Sequence, residues 1–97
     1  MKTGLITSET FQNHDTGPGH PEQIARISTI NENFKKLNNQ NIVWKKPIII
    51  TDEIIKDTHD PEYISLIKNS FPVKGFSSLD GDTIISPGSK EATFEAA

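Results

Sequence analysis

Apolar residues recur every three or four positions in one stretch of the chain, between two polar segments. The repeat consists of Ile24, Ile27, Ile30, Phe34 and Leu37. Because a helix has a period of about 3.6 residues, this spacing places the side chains on one face and predicts an amphipathic helix. We expect the helix to begin at Pro21, since a first turn tolerates proline, and to end at the polar run 38–41.

Two short apolar runs predict extended structure on either side of this helix. Residues 4–8, GLITS, are typical of a buried strand, and residues 42–50, IVWKKPIII, predict a strand or extended segment. Pro47 breaks the second run, because proline cannot donate a hydrogen bond to a strand ladder. Residues 9–21 predict a loop, which Gly17-Pro18-Gly19 keeps out of regular structure.

The second half of the chain carries three further helix starts. Thr51-Asp52-Glu53 predicts a short helix that reaches Lys56, and Asp60-Pro61-Glu62 combines an N-cap acceptor, a first-turn proline and an acidic residue. The buried face of that second helix is predicted to hold Tyr63, Ile64, Ile67 and Phe71. Ser86-Pro87-Gly88-Ser89 opens a last predicted helix that is rich in helix formers.

The segment before the last helix is predicted to be irregular. Residues 71–79 are interpreted as a loop, and Asp80-Gly81-Asp82 is interpreted as a turn. The last helix reaches Ala97 without a capping glycine or a basic last turn. This ending fits a chain that is cut off within a domain.

Composition limits the class of protein. The 97 residues can form one small domain or a piece of a larger one, and a hydrophobic share of 33% predicts a thin core. The net charge of -3 arises from interleaved acidic and basic residues, which give no broad basic surface for nucleic acid. The absence of cysteine excludes disulfides and cysteine zinc sites. The apolar runs are too short for a signal peptide or a membrane span, so we expect a cytoplasmic protein with no nucleic-acid or membrane partner.

The densest candidate chemistry lies in one stretch, HDTGPGHPEQIARI, from His14 to Ile27. His14, Asp15 and His20 are the residue types of a two-histidine, one-carboxylate metal site. The competing interpretation is a loop histidine with an Asx-type turn, because no further ligand cluster completes a coordination shell. As part of a loop-to-helix junction, His20 would lie just outside a helix N-terminus and face a cleft.

The other polar candidates have both a structural and a functional interpretation. Arg26 lies one residue off the apolar stripe, and the general exposure of arginine favours a surface position over a buried anion partner. His59 lies between two helix starts, which is typical of a capping or packing residue. Asp80 and Asp82 bracket a glycine, which favours a turn. The sequence contains no Gly-rich phosphate loop, no nucleophile motif and no H-E-x-x-H motif.

Three segments in register resemble the amino-terminal part of the histone deacetylase family. They are HDTGPGHPEQIARI, TDEIIKDTHDPEYI and SLDGDTIISPGSKEA, and the resemblance covers nearly all 97 residues. The likeness is greatest to bacterial class II-like deacetylases, acetylpolyamine amidohydrolases and acetoin-utilisation proteins. It implies an α/β, arginase/deacetylase-like domain with a mostly parallel sheet flanked by helices, of which residues 1–97 form the N-terminal portion. It also implies zinc-dependent hydrolysis of an acetyl amide, with acetyl-lysine or acetylpolyamine as substrate.

The resemblance extends to individual residues of this sequence. The loop 9–19 matches the first active-site loop of the family. His20 and Pro21 match the pair that lines the rim of the acyl-lysine channel, which implies substrate binding. Arg26 matches an arginine beside an internal cavity behind the metal, which reverses the surface interpretation above. Asp82 matches a loop aspartate that accepts hydrogen bonds from the substrate backbone.

The family's metal ligands and catalytic groups have no match in the chain. An Asp-x-His pair, a later aspartate, tandem histidines and a tyrosine would all follow Ala97. We therefore expect zinc in the intact enzyme, while this chain supplies the substrate loop, binds no metal and catalyses nothing alone. Its partners would be the acetylated substrate and the remainder of the deacetylase domain. The alternatives are a stand-alone, non-catalytic binding module that keeps the front of the fold, and a small metal-binding protein.

Overall fold

A computed structural model describes residues 1–97 and shows four helices, a 3-10 helix and four short strands. Strands β1 to β4 span Thr3–Ile6, Ile42–Lys45, Ser77–Ser78 and Ile84–Ile85. Helices α1 to α4 span Ile24–Lys36, Asp52–Lys56, Pro61–Ser70 and Ser89–Ala96, and the 3-10 helix spans Glu9–Asn13. No helix combines the length and the apolar character that crossing a membrane requires.

The strands β1 and β2, together with helix α1 between them, form a β–α–β unit. β1 and β2 pair in parallel, with residues 3–6 opposite residues 42–45, and α1 forms the crossover between them. The Asn31 amide donates to the Thr7 hydroxyl at 2.9 Å, which fixes α1 to the end of β1. The protein is therefore an α/β protein with a small parallel sheet and helices. Both predicted strands are present, although each is shorter than its apolar run. The prediction that the first is buried is wrong: no residue of β1 is buried and Ile6 is 66% exposed, because β1 pairs only with β2 and no further strand or helix covers it.

α1 begins later than the sequence predicts, at Ile24 instead of Pro21. The preceding loop holds the residues between them outside the helix. The Glu22 N–H donates to the His20 ring at 3.0 Å, and the Glu22 carbonyl accepts a hydrogen bond from the Thr16 hydroxyl. Because the Glu22 carbonyl is engaged by a side chain, it does not start the helical ladder.

The apolar face of α1 is largely uncovered. No residue of α1 is buried, and Ile30, Phe34 and Leu37 are 48%, 39% and 64% exposed. The helix ends at Lys36, inside the predicted limit, and Asn38 takes the left-handed φ of 44° that asparagine tolerates after a helix. The stripe that the sequence predicts is therefore present, but nothing in the chain packs over most of it.

α2 and α3 begin where the sequence predicts, and Asp60 caps α3 by accepting a hydrogen bond from the Glu62 N–H at 2.8 Å. On the face predicted to be buried, Ile64 is only 6% exposed. The prediction is wrong for Tyr63, which is 51% exposed. Its ring lies at the surface beside the ring of His59, with centroids 5.7 Å apart.

Two segments predicted to be irregular contain short regular elements. The segment 9–21 includes the 3-10 helix, which Ser8 caps by accepting a hydrogen bond from the Thr10 N–H at 3.2 Å. The segment 71–79 includes β3, which pairs antiparallel with β4 across the predicted turn at 80–82. Such short elements leave too few residues for a periodic pattern, so hydrophobic periodicity does not reveal them.

The core is thin, in keeping with the composition. Six of the 97 residues are buried, and the apolar ones are Ile64, Ile85 and Ala92. The other three are the polar residues Thr16, Ser86 and Ser89. Half of the buried residues are therefore polar, and they lie in the loop after the 3-10 helix and at the start of α4.

The start of α4 packs tightly against the 3-10 helix. A Cβ atom added at Gly88 would overlap the backbone carbonyl of Asn13. Gly88 itself has an ordinary helical φ of -71°, so glycine is required there for space and not for backbone freedom.

Gly88→Ala tests this contact against the propensity of the helix. Helix propensity alone would favour alanine. We expect the substitution instead to lower the free energy of unfolding by about 1–3 kcal/mol, because overpacking forces two backbones apart. The matched control is Gly81→Ala, where no atom lies within 4 Å of the added Cβ. Urea unfolding measures both variants, and an unchanged or raised midpoint for Gly88→Ala would contradict the contact.

Candidate functional site

Two segments that are distant in the sequence meet at the candidate site. The first follows β1 and the 3-10 helix and consists of residues 14–20, here called the rim loop. The second consists of residues 82–89, here called the clamp segment. At one end His14 Nδ1 lies 2.7 Å from Ser89 Oγ, and at the other His20 Nε2 lies 2.8 Å from the Asp82 carbonyl. The rim loop is therefore joined to the clamp segment at both of its ends.

Ser89 is at the centre of the first contact. Its hydroxyl accepts a hydrogen bond from the Ser86 N–H at 2.9 Å, while the Ser89 N–H donates to the Ser86 carbonyl at 3.0 Å. These two hydrogen bonds close a tight turn over residues 86–89 that leads into α4, of which Ser89 is the first residue. A serine beside a histidine is also typical of a nucleophile pair. The Ser89 side chain has no exposed surface, so it cannot attack a substrate.

The second contact favours one tautomer of neutral His20. Its Nε2 faces the Asp82 carbonyl at 2.8 Å, which can only accept, and this contact favours a proton on Nε2. Its Nδ1 accepts a hydrogen bond from the Glu22 N–H at 3.0 Å and lies farther, at 3.2 Å, from the Glu22 carbonyl, so the shorter contact favours an unprotonated Nδ1. His20 thus connects the rim loop, the entrance of α1 and the turn between β3 and β4.

The middle of the rim loop is shaped by local hydrogen bonds and by an aromatic ring. Thr16 is buried, and the Asp15 carboxylate accepts a hydrogen bond from the Gly17 N–H at 2.9 Å. Gly17 has a left-handed φ of 86°, which favours glycine. The Phe76 ring lies 3.7 Å from the position that a Cβ atom of Gly17 would take. The loop therefore packs against the Phe76 ring at Gly17, and its backbone there has a left-handed conformation that favours glycine.

The turn that carries Asp82 is organised by the carboxylate of Asp80. That carboxylate accepts hydrogen bonds from the N–H groups of Asp82 and Thr83 at 2.9 and 2.8 Å, and from the Thr83 hydroxyl at 3.0 Å. The hydrogen bond from Asp82, followed by those from Thr83, holds the pKa of Asp80 below its ordinary value of 3.8. The predicted turn at 80–82 is confirmed, and the Asp80 carboxylate stabilises it through these hydrogen bonds.

The remaining residues assigned by the resemblance lie at the surface. Pro21 is exposed immediately after His20. Arg26 lies in the first turn of α1, where its side chain is 58% exposed and forms an ion pair with Glu22. The structure brings His20 and Asp82 together, but it places Arg26 in the exposed position that its residue type alone favours.

His14, Asp15 and His20 do not converge on one point. His14 faces Ser89, Asp15 binds the Gly17 amide and His20 binds the Asp82 carbonyl. No group of three or more histidine, aspartate or glutamate side chains in residues 1–97 is arranged to hold a metal ion.

An apolar groove lies on the other side of His14, between α2, α3, β4 and α4. It has a volume of about 360 Å³ and is open to solvent along one side. The walls include His14, His59, Tyr63, Ile64, Ile85 and Phe94. His20 and Asp82 do not line it, so this groove is separate from the contact between the rim loop and the turn.

Sequence patterns pointed to His14, His20 and Asp82, but they gave no role in the site to Ser86, Ser89 or Phe76. Ser86 and Ser89 flank the predicted start of the last helix, and two serines three positions apart carry no capping-box signal, because that motif requires Glu or Gln at the second position. Their partner His14 is 75 residues from Ser89, and no local pattern reports that contact. Phe76 lies in a segment predicted to be a loop, where a single aromatic residue carries no periodic signal.

The chain is similar to a curated protein of a cyanobacterium. The chain is 37% identical over 89 residues to the uncharacterised protein slr0245 of Synechocystis sp. (strain ATCC 27184 / PCC 6803 / Kazusa). The match covers 88% of the chain and 29% of that protein, so the chain spans less than a third of the relative's length. No protein-family model matches the chain.

The His20 contacts predict a single tautomer that NMR can observe. In the neutral state we expect the proton of His20 on Nε2 only, because the Asp82 carbonyl and the Glu22 N–H impose opposite roles on the two nitrogens. Long-range proton–nitrogen correlation spectra report the tautomer directly. The internal control is the exposed His59, for which we expect a mixture. Equal spectra for the two rings would contradict the contact.

The Asp80 turn predicts a pH dependence of defined sign. Because the folded chain holds the pKa of Asp80 below 3.8, the stabilisation is complete above that value and is lost as the pH falls through the folded-state pKa. Thr83→Val removes the hydroxyl donor with little change of shape, and we expect it to raise the pKa of Asp80 towards 3.8. Carbon-13 titration of the carboxyl group measures the shift. A pKa that stays unchanged in Thr83→Val would show that this hydrogen bond does not contribute.

Proposed function

We propose that the chain forms the front part of a zinc-dependent acetyl-amide hydrolase of the histone deacetylase type, in which the rim loop is one wall of the substrate channel. The observation that carries the proposal is the contact between His20 and Asp82, at 2.8 Å and across 62 residues. The resemblance assigns His20 to the channel rim and Asp82 to binding of the substrate backbone, on separate motifs. Their meeting in the folded chain supports one common site.

The hydrogen bonding of Asp82 supports a role in binding substrate. Its carbonyl accepts from His20 and its N–H donates to Asp80, so the backbone holds the residue in place. Its side chain is exposed and remains available for a ligand. A carboxylate on a rigid turn can accept the backbone N–H groups of an extended acetylated substrate.

The residues of this chain do not fit a zinc ion. Structural and catalytic zinc sites need three or four convergent nitrogen, sulfur or carboxylate ligands, and the chain offers no such group. In this proposal zinc and the proton-transferring residues belong to the remainder of a larger domain, and the chain contributes binding and positioning only. A cytoplasmic location belongs to the same proposal.

The uncovered apolar surface of the chain supports the presence of further parts of the same domain. Parallel sheets in proteins are normally covered on both faces, whereas β1 and β2 stand alone as a pair. Exposed apolar side chains here include Trp44 on β2 and Phe34 on α1, which line one shallow cavity with Ile42. Further strands and helices of the same domain would bury them. The length of the Synechocystis relative, of which the match covers 29%, is consistent with such a domain.

The test uses the polypeptide of the complete reading frame that encodes this chain, purified with zinc. We expect release of acetate from an acetyl-lysine peptide or an acetylpolyamine, lost on chelation and restored by zinc. Asp82→Ala should lower kcat/KM by about 10- to 100-fold, the effect of losing a hydrogen bond to a charged group. The matched control is Asp57→Ala, another exposed aspartate outside the rim loop and the clamp segment.

Two results would overturn the proposal. One is a complete polypeptide that shows no chelator-sensitive hydrolysis of either substrate. The other is hydrolysis that Asp57→Ala and Asp82→Ala reduce equally. If acetyl-lysine peptides bind without hydrolysis and Asp82→Ala weakens that binding, the non-catalytic binding module is the correct alternative.

A further inference from the structure

The rim loop is held at two points that lie on one continuous stretch of chain. His14 and His20 enclose five residues, and Ser89 and Asp82 enclose six. The contacts run in opposite order along the two segments, so the first residue of the loop meets the last residue of the clamp segment. A shift at one contact therefore acts on the other through a short piece of backbone.

That piece of backbone has little freedom to absorb a shift. Pro18 fixes its own φ, and Gly17 and Gly19 occupy left-handed conformations of 86° and 79°. Thr16 is buried and donates its hydroxyl hydrogen to the Glu22 carbonyl. Since each of these residues is constrained, the loop transmits displacement between its ends more readily than a flexible linker would.

The His14 contact is the better-defined end. Ser89 is fully buried, it accepts a hydrogen bond from the Ser86 N–H, and Gly88 allows the helix to approach Asn13 closely. The His20 contact lies at the surface, where water competes for the Asp82 carbonyl. The buried contact is thus suited to hold the exposed one in place.

We infer that Ser89 is a positioning residue: through His14 it holds the rim loop in the conformation in which His20 meets Asp82. Ser89 touches no substrate, because its side chain has no exposed surface. The identification of the rim loop as a substrate wall rests on the proposed function. The coupling between the two hydrogen bonds is a property of residues 1–97 and does not depend on it.

The test measures the His20 ring in the chain of 97 residues labelled with nitrogen-15 at histidine. The observable is the difference between its two ring-nitrogen shifts in the neutral state, which is large for one tautomer and small for an exchanging mixture. In Ser89→Ala we expect this difference to fall towards that of His59. The matched control is Ser28→Ala, which removes a serine hydroxyl that bonds only the Ala25 carbonyl within α1.

A second variant separates positioning from a loss of the turn at 86–89. His14→Ala leaves the hydrogen bonds between Ser86 and Ser89 intact, so the turn that leads into α4 is retained. We expect it to reduce the His20 difference as Ser89→Ala does, and the double variant to reduce it no further. The control is His59→Ala, which should leave His20 unchanged. Amide spectra of β1 and β2 verify that each variant retains the fold.

Three outcomes would overturn the inference. In the first, His20 keeps its tautomer in a folded Ser89→Ala chain. In the second, the effects of His14→Ala and Ser89→Ala add in the double variant. In the third, Ser89→Ala unfolds the chain and His14→Ala leaves His20 unchanged. None of these measurements uses substrate, so an absence of hydrolysis in the complete polypeptide would refute the proposed function and leave the coupling standing.

Discussion

A buried serine hydroxyl links the beginning of this chain to its end. The Ser89 hydroxyl accepts a hydrogen bond from the Ser86 N–H and lies within hydrogen-bond distance of the His14 ring. Beside it, the Gly88 backbone packs against the backbone of Asn13. Hydrogen bonds in a buried position are costly to leave unmade, because water cannot replace the missing partner. With few apolar residues buried, this polar junction gives the loop after β1 its fixed place relative to α4.

The same junction explains how a loop rich in glycine and proline becomes a defined surface. The loop is closed at His14, supported at Gly17 by Phe76 and closed again at His20. Between these points its own hydrogen bonds set the backbone. An exposed aspartate on the neighbouring turn then projects beside it. Binding and catalytic residues are commonly found on loops that a rigid scaffold positions in this way.

Local signals predicted the elements that local interactions form. Asp60 was recognisable as a cap from three residues, and the strand at β1 from one apolar run. The start of α1 was mispredicted because His20 and Thr16 hold Glu22 outside the helix, and neither contact follows from helix propensity. The sequence also could not predict that the apolar face of α1 is exposed, because periodicity shows which side chains share a face and not what covers that face.

The candidate site divides in the same way. Resemblance named His20 and Asp82 separately, and the geometry that joins them across 62 residues came only from the structure. The hydrogen bond between Ser86 and Ser89 is local, whereas the histidine partner of Ser89 lies 75 residues away. Long-range polar contacts have no periodicity, so a single sequence does not reveal which polar residues pair, even where each residue is recognised as a candidate.

The separation of His14 and Ser89 also has a consequence for how the chain is made. Their contact spans 75 residues, and ribosomes add about 5–20 residues each second. The loop is therefore synthesised several seconds before its serine partner. During elongation the loop lacks its contact with Ser89, and it can adopt its final conformation only after the serine has been translated.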